Sequence, residues 1–167
     1  MLGLTALGTL HTGISMVALL AGSGALLRNG VIRVEDRLGH IYVWATVLTC
    51  ITGLGIFQHG GFGKPHALGL LTLATLGLAV WPAGSRVFGP RWRYVVIVSY
   101  TLTLFFHMIP GLTETFTRLP SSSPLFTGPD DAALQSALAV MFAIFLAGIC
   151  WQIYRARQIH VRGIEQK

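Results

Sequence analysis

Long apolar stretches alternate with short polar ones along the chain, and the length of the apolar stretches is the first thing to read. Five stand out, at about 5–27, 40–57, 66–81, 94–109 and 133–154. A helix that crosses a membrane needs about 20 mostly apolar residues, with about 17 as the lower limit. The third and fourth runs are short by that measure, so their polar flanks are expected to extend the helices. The pattern predicts an all-α polytopic membrane helix bundle of five transmembrane helices, a four-helix core plus one. It forms a single integral membrane domain over 1–167. The first run has no basic residues before it and is followed by its charge, so it reads as a retained helix rather than a cleaved signal.

Composition agrees. Hydrophobic residues make up 53% of the chain and charged ones 11%, with a mean hydropathy of +0.65. Soluble domains carry about 25% charged residues. The charges are also unevenly placed. Arg28, Arg33, Arg37, Arg86, Arg91, Arg93, Arg155, Arg157, Arg162 and Lys167 fall in segments on one side of the predicted spans, and only Lys64 and Arg118 fall on the other. The positive-inside rule then predicts an N-terminus outside and a C-terminus in the cytoplasm, in a bacterial inner (plasma) membrane. Tyr42, Trp81, Trp92, Tyr94, Trp151 and Tyr154 lie near the basic side, as an interfacial belt would. Orientation thus explains the net charge of +6. No nucleic-acid partner is implied, because the basic residues are spread over three segments without interleaved aromatics.

Other features narrow the picture less. Cys50 and Cys150 lie within apolar runs and form no CxxC pair, which reads as small buried hydrophobes. The outer loop 111–132 carries Pro120, Pro124 and Pro129, and loops of that length often act as lids or docking surfaces. Asp130 and Asp131 stand where the fifth helix opens, which favours capping over catalysis. A faint repeat, "HTGISMVALLAGSGALL" and "HALGLLTLATLGLAVW", would set His11 and His66 at similar depth on one side.

The candidate chemistry lies in the histidines. His160 belongs to the basic tail and His40 to the basic start of the second span. His11, His59, His66 and His107 all fall toward the opposite face, with Glu114 just beyond the fourth span. His107 stands in "SYTLTLFFHMIPGL", roughly 20 Å along a helix from Arg93, and shares a helix face with Tyr100 and Thr103. Ionisable residues within a membrane by default point to function. Two imidazoles from different helices suit a six-coordinate haem b, which makes His11, His66 and His107 the candidate axial ligands. Small residues near Gly13 and Gly69 are expected to leave room for the ring. His11, His59, His66 and His107 with Glu114 would instead suit Zn or Cu. The plain alternative is that each histidine hydrogen-bonds a hydroxyl or carbonyl across the bundle.

Enzymatic signatures are lacking, and no residue is assigned a catalytic role. Ser15 and Ser99 have no acid at their depth to complete a triad. No Walker motif, dinucleotide fingerprint or HExxH occurs. The acidic pairs Glu35–Asp36 and Asp130–Asp131 stand only at loop or helix starts.

The segments "LHTGIS", "RLGHIYVWATVLTCITGLGIF" and "RWRYVVIVSYTLTL" resemble a bacterial family of uncharacterised multi-pass membrane proteins, over roughly the first four spans. That family is itself similar in look to b-type membrane cytochromes, whose haems sit between histidines on neighbouring helices. The family pattern carries further histidines where this chain has Glu35 and the Trp92–Arg93 neighbourhood. No second haem or metal site is therefore expected on the basic side, where His40 stands alone. A lone haem on the outer side cannot carry electrons across the whole bilayer, so it is expected to exchange them with a quinol or a periplasmic redox partner. The alternatives are a cofactor-free accessory or assembly subunit of a larger membrane complex or homo-oligomer, and a periplasmic-side transition-metal-binding protein. Transport has least support, since the spans lack buried carboxylates and an inverted pair of broken helices.

Overall fold

A computed structural model describes residues 5–57, 61–81, 89–120 and 122–165, with backbone alone for 90 and 159–165. It contains five α-helices: α1 (Ala6–Asn29), α2 (Arg37–Leu54), α3 (Lys64–Val80), α4 (Trp92–Phe116) and α5 (Ala132–Glu165). A single 3₁₀ turn, Gly89–Arg91, leads into α4, and no strand occurs among the described residues. Ala6–Asn29, Trp92–Phe116 and Ala132–Gln158 are long and apolar enough to cross a membrane. α3 is apolar but has 17 residues, and α2 has 18 with Arg37 and His40 in its first turn.

The helix ends follow local chemistry. The Thr5 hydroxyl accepts the Gly8 N–H at 3.1 Å, satisfying one of the free donors at the start of α1. At the other end Gly30 adopts φ 73°, and its N–H returns to the Leu26 carbonyl at 2.8 Å. A left-handed residue there favours glycine. Asn29 then donates to Asp36 at 2.8 Å, so the end of α1 fixes the residue that precedes α2. Asp131 begins α5 as expected: its carboxylate accepts from Ala133 N and Thr127 N, each at 2.9 Å, and from the Thr127 hydroxyl at 3.0 Å. These bonds hold the Asp131 carboxyl below the usual carboxylate range, the Thr127 N–H contributing most.

Two helices outrun their apolar runs, α4 as the shortness of its run predicts. α4 continues through Pro110 to Phe116 and α5 to Glu165, where 94–109 and 133–154 were expected. Hydropathy marks only the apolar middle of a helix, whereas the hydrogen-bond ladder continues through polar turns. Glu114 is therefore on the last turns of α4 rather than beyond it, paired with Arg118 at 2.6 Å.

α1 packs mainly on α2, and α3 mainly on α4. Ala18, Ala21 and Ala25, spaced three and four apart, form the buried stripe of α1. Between them a Cβ on Gly22 would come within 2.8 Å of the Tyr42 ring and 2.9 Å of Leu104. Small residues let backbones approach, and in lipid close packing drives helix association. α5 joins this group mainly through α4, Phe105 meeting Phe145 at 4.8 Å and Phe142 at 5.5 Å between ring centroids. Only 6% of its apolar stretch is buried, against 39% for α4. Cys50 is buried as expected, but Cys150, on α5, is exposed.

The candidate histidine site

Tyr100, Thr103 and His107 are buried on one face of α4, as their spacing predicts, and Tyr42 of α2 meets them. The Thr103 hydroxyl donates its one proton to the Tyr100 carbonyl at 2.9 Å. The Tyr42 hydroxyl, 2.8 Å from Thr103 Oγ1, must then be the donor in that pair. His107 Nδ1 lies 3.2 Å from the Thr103 carbonyl oxygen, which can only accept. The network thus assigns the proton of His107 to Nδ1 and leaves Nε2 with a free lone pair. That nitrogen is buried and has no hydrogen-bond partner.

The same reasoning applies to His11 on α1. Its Nδ1 is 3.1 Å from the Thr52 hydroxyl oxygen of α2. Thr52 already donates to the Leu48 carbonyl at 2.8 Å, with the Thr49 carbonyl at 3.1 Å. It therefore accepts from His11, whose proton also sits on Nδ1. Both imidazoles turn a lone-pair Nε2 outward from a fixed Nδ1–H. A metal-bound histidine characteristically has this arrangement, its second nitrogen donating to a protein oxygen. His11 and His107 are close enough to interact electrostatically, and Glu114 is within similar reach of His11.

His66 differs. Its Nδ1 accepts the Gly63 N–H at 3.2 Å, closing a cap at the start of α3. A neutral ring then carries its proton on Nε2, and that buried N–H has no partner. Phe57 stacks on the ring at 4.9 Å and Phe62 lies tilted at 5.4 Å. His66 is thus a capping histidine between two aromatic rings, and in this tautomer its Nε2 cannot bind a metal.

The remaining candidates do not join the pair. His59 lies outside the described residues. His40 is exposed, edge-on to Trp44 at 6.4 Å. Among the described residues no three His, Cys, Asp or Glu side chains group as a metal-ion site.

Of the two glycines expected to make room, Gly13 needs correction, whereas a Cβ on Gly69 would meet only open space. Gly13 lines an outward groove with Leu10 and Val17, and two residues from His11 means about 200° around the helix. It cannot open space beside that ring. The glycine that matters is Gly53 of α2, where a Cβ would stand 3.0 Å from His11 Cε1. Gly53, Thr52 and Thr103 position the imidazoles; spacing sets Thr103 on the face of His107, but nothing in the sequence ties Gly53 or Thr52 to a histidine. Their types are common in apolar helices, and the only available signal was that Thr103 stands four residues before His107.

Neither a family model nor a curated protein nor a solved structure matches the chain.

Proposed function

We propose that the chain is a five-span bundle of the bacterial inner membrane that binds haem b between His11 and His107. It has its N-terminus outside and its C-terminus in the cytoplasm, and its site lies toward the outer face. The observation that carries the reading is the shared tautomer: two imidazoles on α1 and α4, each donating Nδ1–H to a helix oxygen and each keeping an Nε2 lone pair. A bound haem would supply a one-electron couple. His11 and His107 would hold it through Nε2, and the Thr52 hydroxyl and the Thr103 carbonyl would keep the rings in the ligating tautomer. Zn or Cu fits less well, because those ions want a third or fourth protein donor. A site on the outer side cannot span the bilayer, so its electrons would pass to or from a quinol or a periplasmic partner.

A second reading, a cofactor-free subunit of a larger complex or homo-oligomer, draws on α5. Its outward apolar surface, including Phe142, Ile144, Leu146 and Trp151, is far greater than its contact with α4.

Absorption spectra of the purified protein, oxidised and dithionite-reduced, separate the two. The haem reading expects a b-type α-band that disappears in His11→Ala and in His107→Ala but survives in His66→Ala. A colourless wild-type protein that co-purifies within a larger assembly would establish the second reading instead. Orientation is checked apart from this, by reporters fused after Lys167 (active in the cytoplasm) and within 121–123 (active outside).

A further inference from the structure

At the end of the bundle opposite the histidines, the α1–α2 connection, the end of α3, the start of α4 and residues 152–156 of α5 enclose a cleft of about 740 Å³. Its volume is that of a small-molecule site. Gln152, 6% exposed, forms one wall, donating to the Gly30 carbonyl at 2.9 Å and accepting from the Thr101 hydroxyl at 3.0 Å. α5 is thereby tied to both α1 and α4, so the cleft is a built feature and not a gap left by loose docking.

Three guanidiniums, Arg33, Arg93 and Arg155, line it against one carboxylate, Glu35. Arg33 reaches Asp36 at 3.9 Å, and Arg93 lies over the Tyr94 ring and donates to its hydroxyl at 2.6 Å. Arg155 extends over Gly30 and has no carboxylate within 4.0 Å among the described residues. The cleft therefore keeps positive charge that the described residues do not neutralise. Tyr100, 1% exposed, also lines it, and its hydroxyl is buried without a hydrogen-bond partner. Apart from Asn29, whose amide is taken up by Asp36, the remaining lining is mainly apolar, including Ile32, Val34, Val80, Trp81, Val96 and Ile97.

We propose that this cleft holds the headgroup of an anionic phospholipid, its phosphate between Arg93 and Arg155 and its chains along Val80, Trp81 and Ile97. Positive charge beside an apolar wall selects an amphiphile over a soluble anion. Trp81, 53% exposed, belongs to the residue types enriched where chain meets headgroup. Basic pockets between membrane helices bind such headgroups, and a surface arginine contributes about 1 kcal/mol of attraction to anionic lipid. The inference depends on the chain lying in a membrane but not on haem, so a colourless protein would leave it standing.

The test uses the full chain in phosphatidylcholine nanodiscs. Lipid retention by native mass spectrometry and thermal stability are recorded with phosphatidylglycerol added, with more phosphatidylcholine, and with inorganic phosphate. Phosphatidylglycerol alone should be retained and should raise the unfolding temperature. The double substitution Arg93→Gln, Arg155→Gln should weaken retention about thirtyfold, by the loss of two charges. Arg28→Gln with Arg37→Gln, outside the cleft, should not. Should the first double variant fail to fold, Val96→Trp, which fills the cleft without changing charge, should also abolish retention. Equal retention of phosphatidylcholine, stabilisation by inorganic phosphate alone, or equal loss in the Arg28/Arg37 control would each overturn the proposal.

Discussion

The two ends of the bundle satisfy their polar groups in opposite ways. At the histidine end the donors and acceptors are settled locally, within a turn or across one helix contact: His11 on Thr52, His66 on Gly63, His107 on Thr103. What remains there is specific: the His107 Nε2 lone pair and the His66 Nε2–H, both buried without a partner, beside the Nε2 lone pair of His11. At the basic end the arginines are only loosely paired, and what remains is diffuse positive charge around a cleft. The first arrangement suits a ligand that forms directed bonds. The second suits one held by charge and apolar contact. The difference follows from side-chain chemistry, since an imidazole has one lone pair to aim whereas a guanidinium offers five donors and no acceptor.

Substitutions can press on each end separately. The largest effect on stability is expected at the basic end, from Gly39→Ala. An added Cβ would overlap the Arg33 carbonyl oxygen, which is backbone and cannot step aside. A loss of about 3 kcal/mol is expected in thermal or denaturant unfolding, with loss of lipid retention as the connection between α1 and α2 moves. If Gly39→Ala were neutral, the close packing of that connection would be wrong.

Tyr42→Phe acts midway. It removes the donor to Thr103 Oγ1, whose own bond to the Tyr100 carbonyl remains. We expect about 1 kcal/mol lost in the same unfolding measurement, with the haem band kept and phosphatidylglycerol retention unchanged. A lost band would mean that the hydroxyl chain, and not the Thr103 carbonyl, sets the His107 tautomer.

Gly53→Ala is the histidine-end counterpart of Gly39→Ala. Its Cβ would crowd His11 Cε1 at 3.0 Å, but an imidazole can yield by a few tenths of an ångström. Stability should fall by about 0.5 kcal/mol, while the reduced spectrum should show a shifted or weakened α-band. An unaltered spectrum would argue against His11 as a ligand.

The smallest effect concerns Asp131. Its carboxyl is held below the usual range by Thr127 and Ala133, so its contribution is present above the unfolded-state value and disappears as pH falls through the folded one. Amide protection over 127–135, corrected for the intrinsic exchange rate, should fall in acid, below the ordinary carboxylate range. In Asp131→Asn that acid-dependent change should vanish, while the haem band and lipid retention stay constant.

The helical class, the apolar runs, the clustering of basic residues and the face shared by Tyr100, Thr103 and His107 could all be read from the chain. Each depends on spacing within one segment, where helix geometry alone converts sequence into position. The tertiary structure decided which histidines are equivalent. His11, His66 and His107 are identical as letters, yet only two of them are assigned a proton on Nδ1, because the oxygen facing each ring is supplied by another turn or another helix. It also moved the relevant glycine from Gly13 to Gly53, a residue of α2 that touches a side chain of α1. The cleft at the basic end was out of reach of sequence for the same reason. Its walls come from four segments distant along the chain, and charge that reads as a signal of orientation becomes a binding surface only when those segments are packed together.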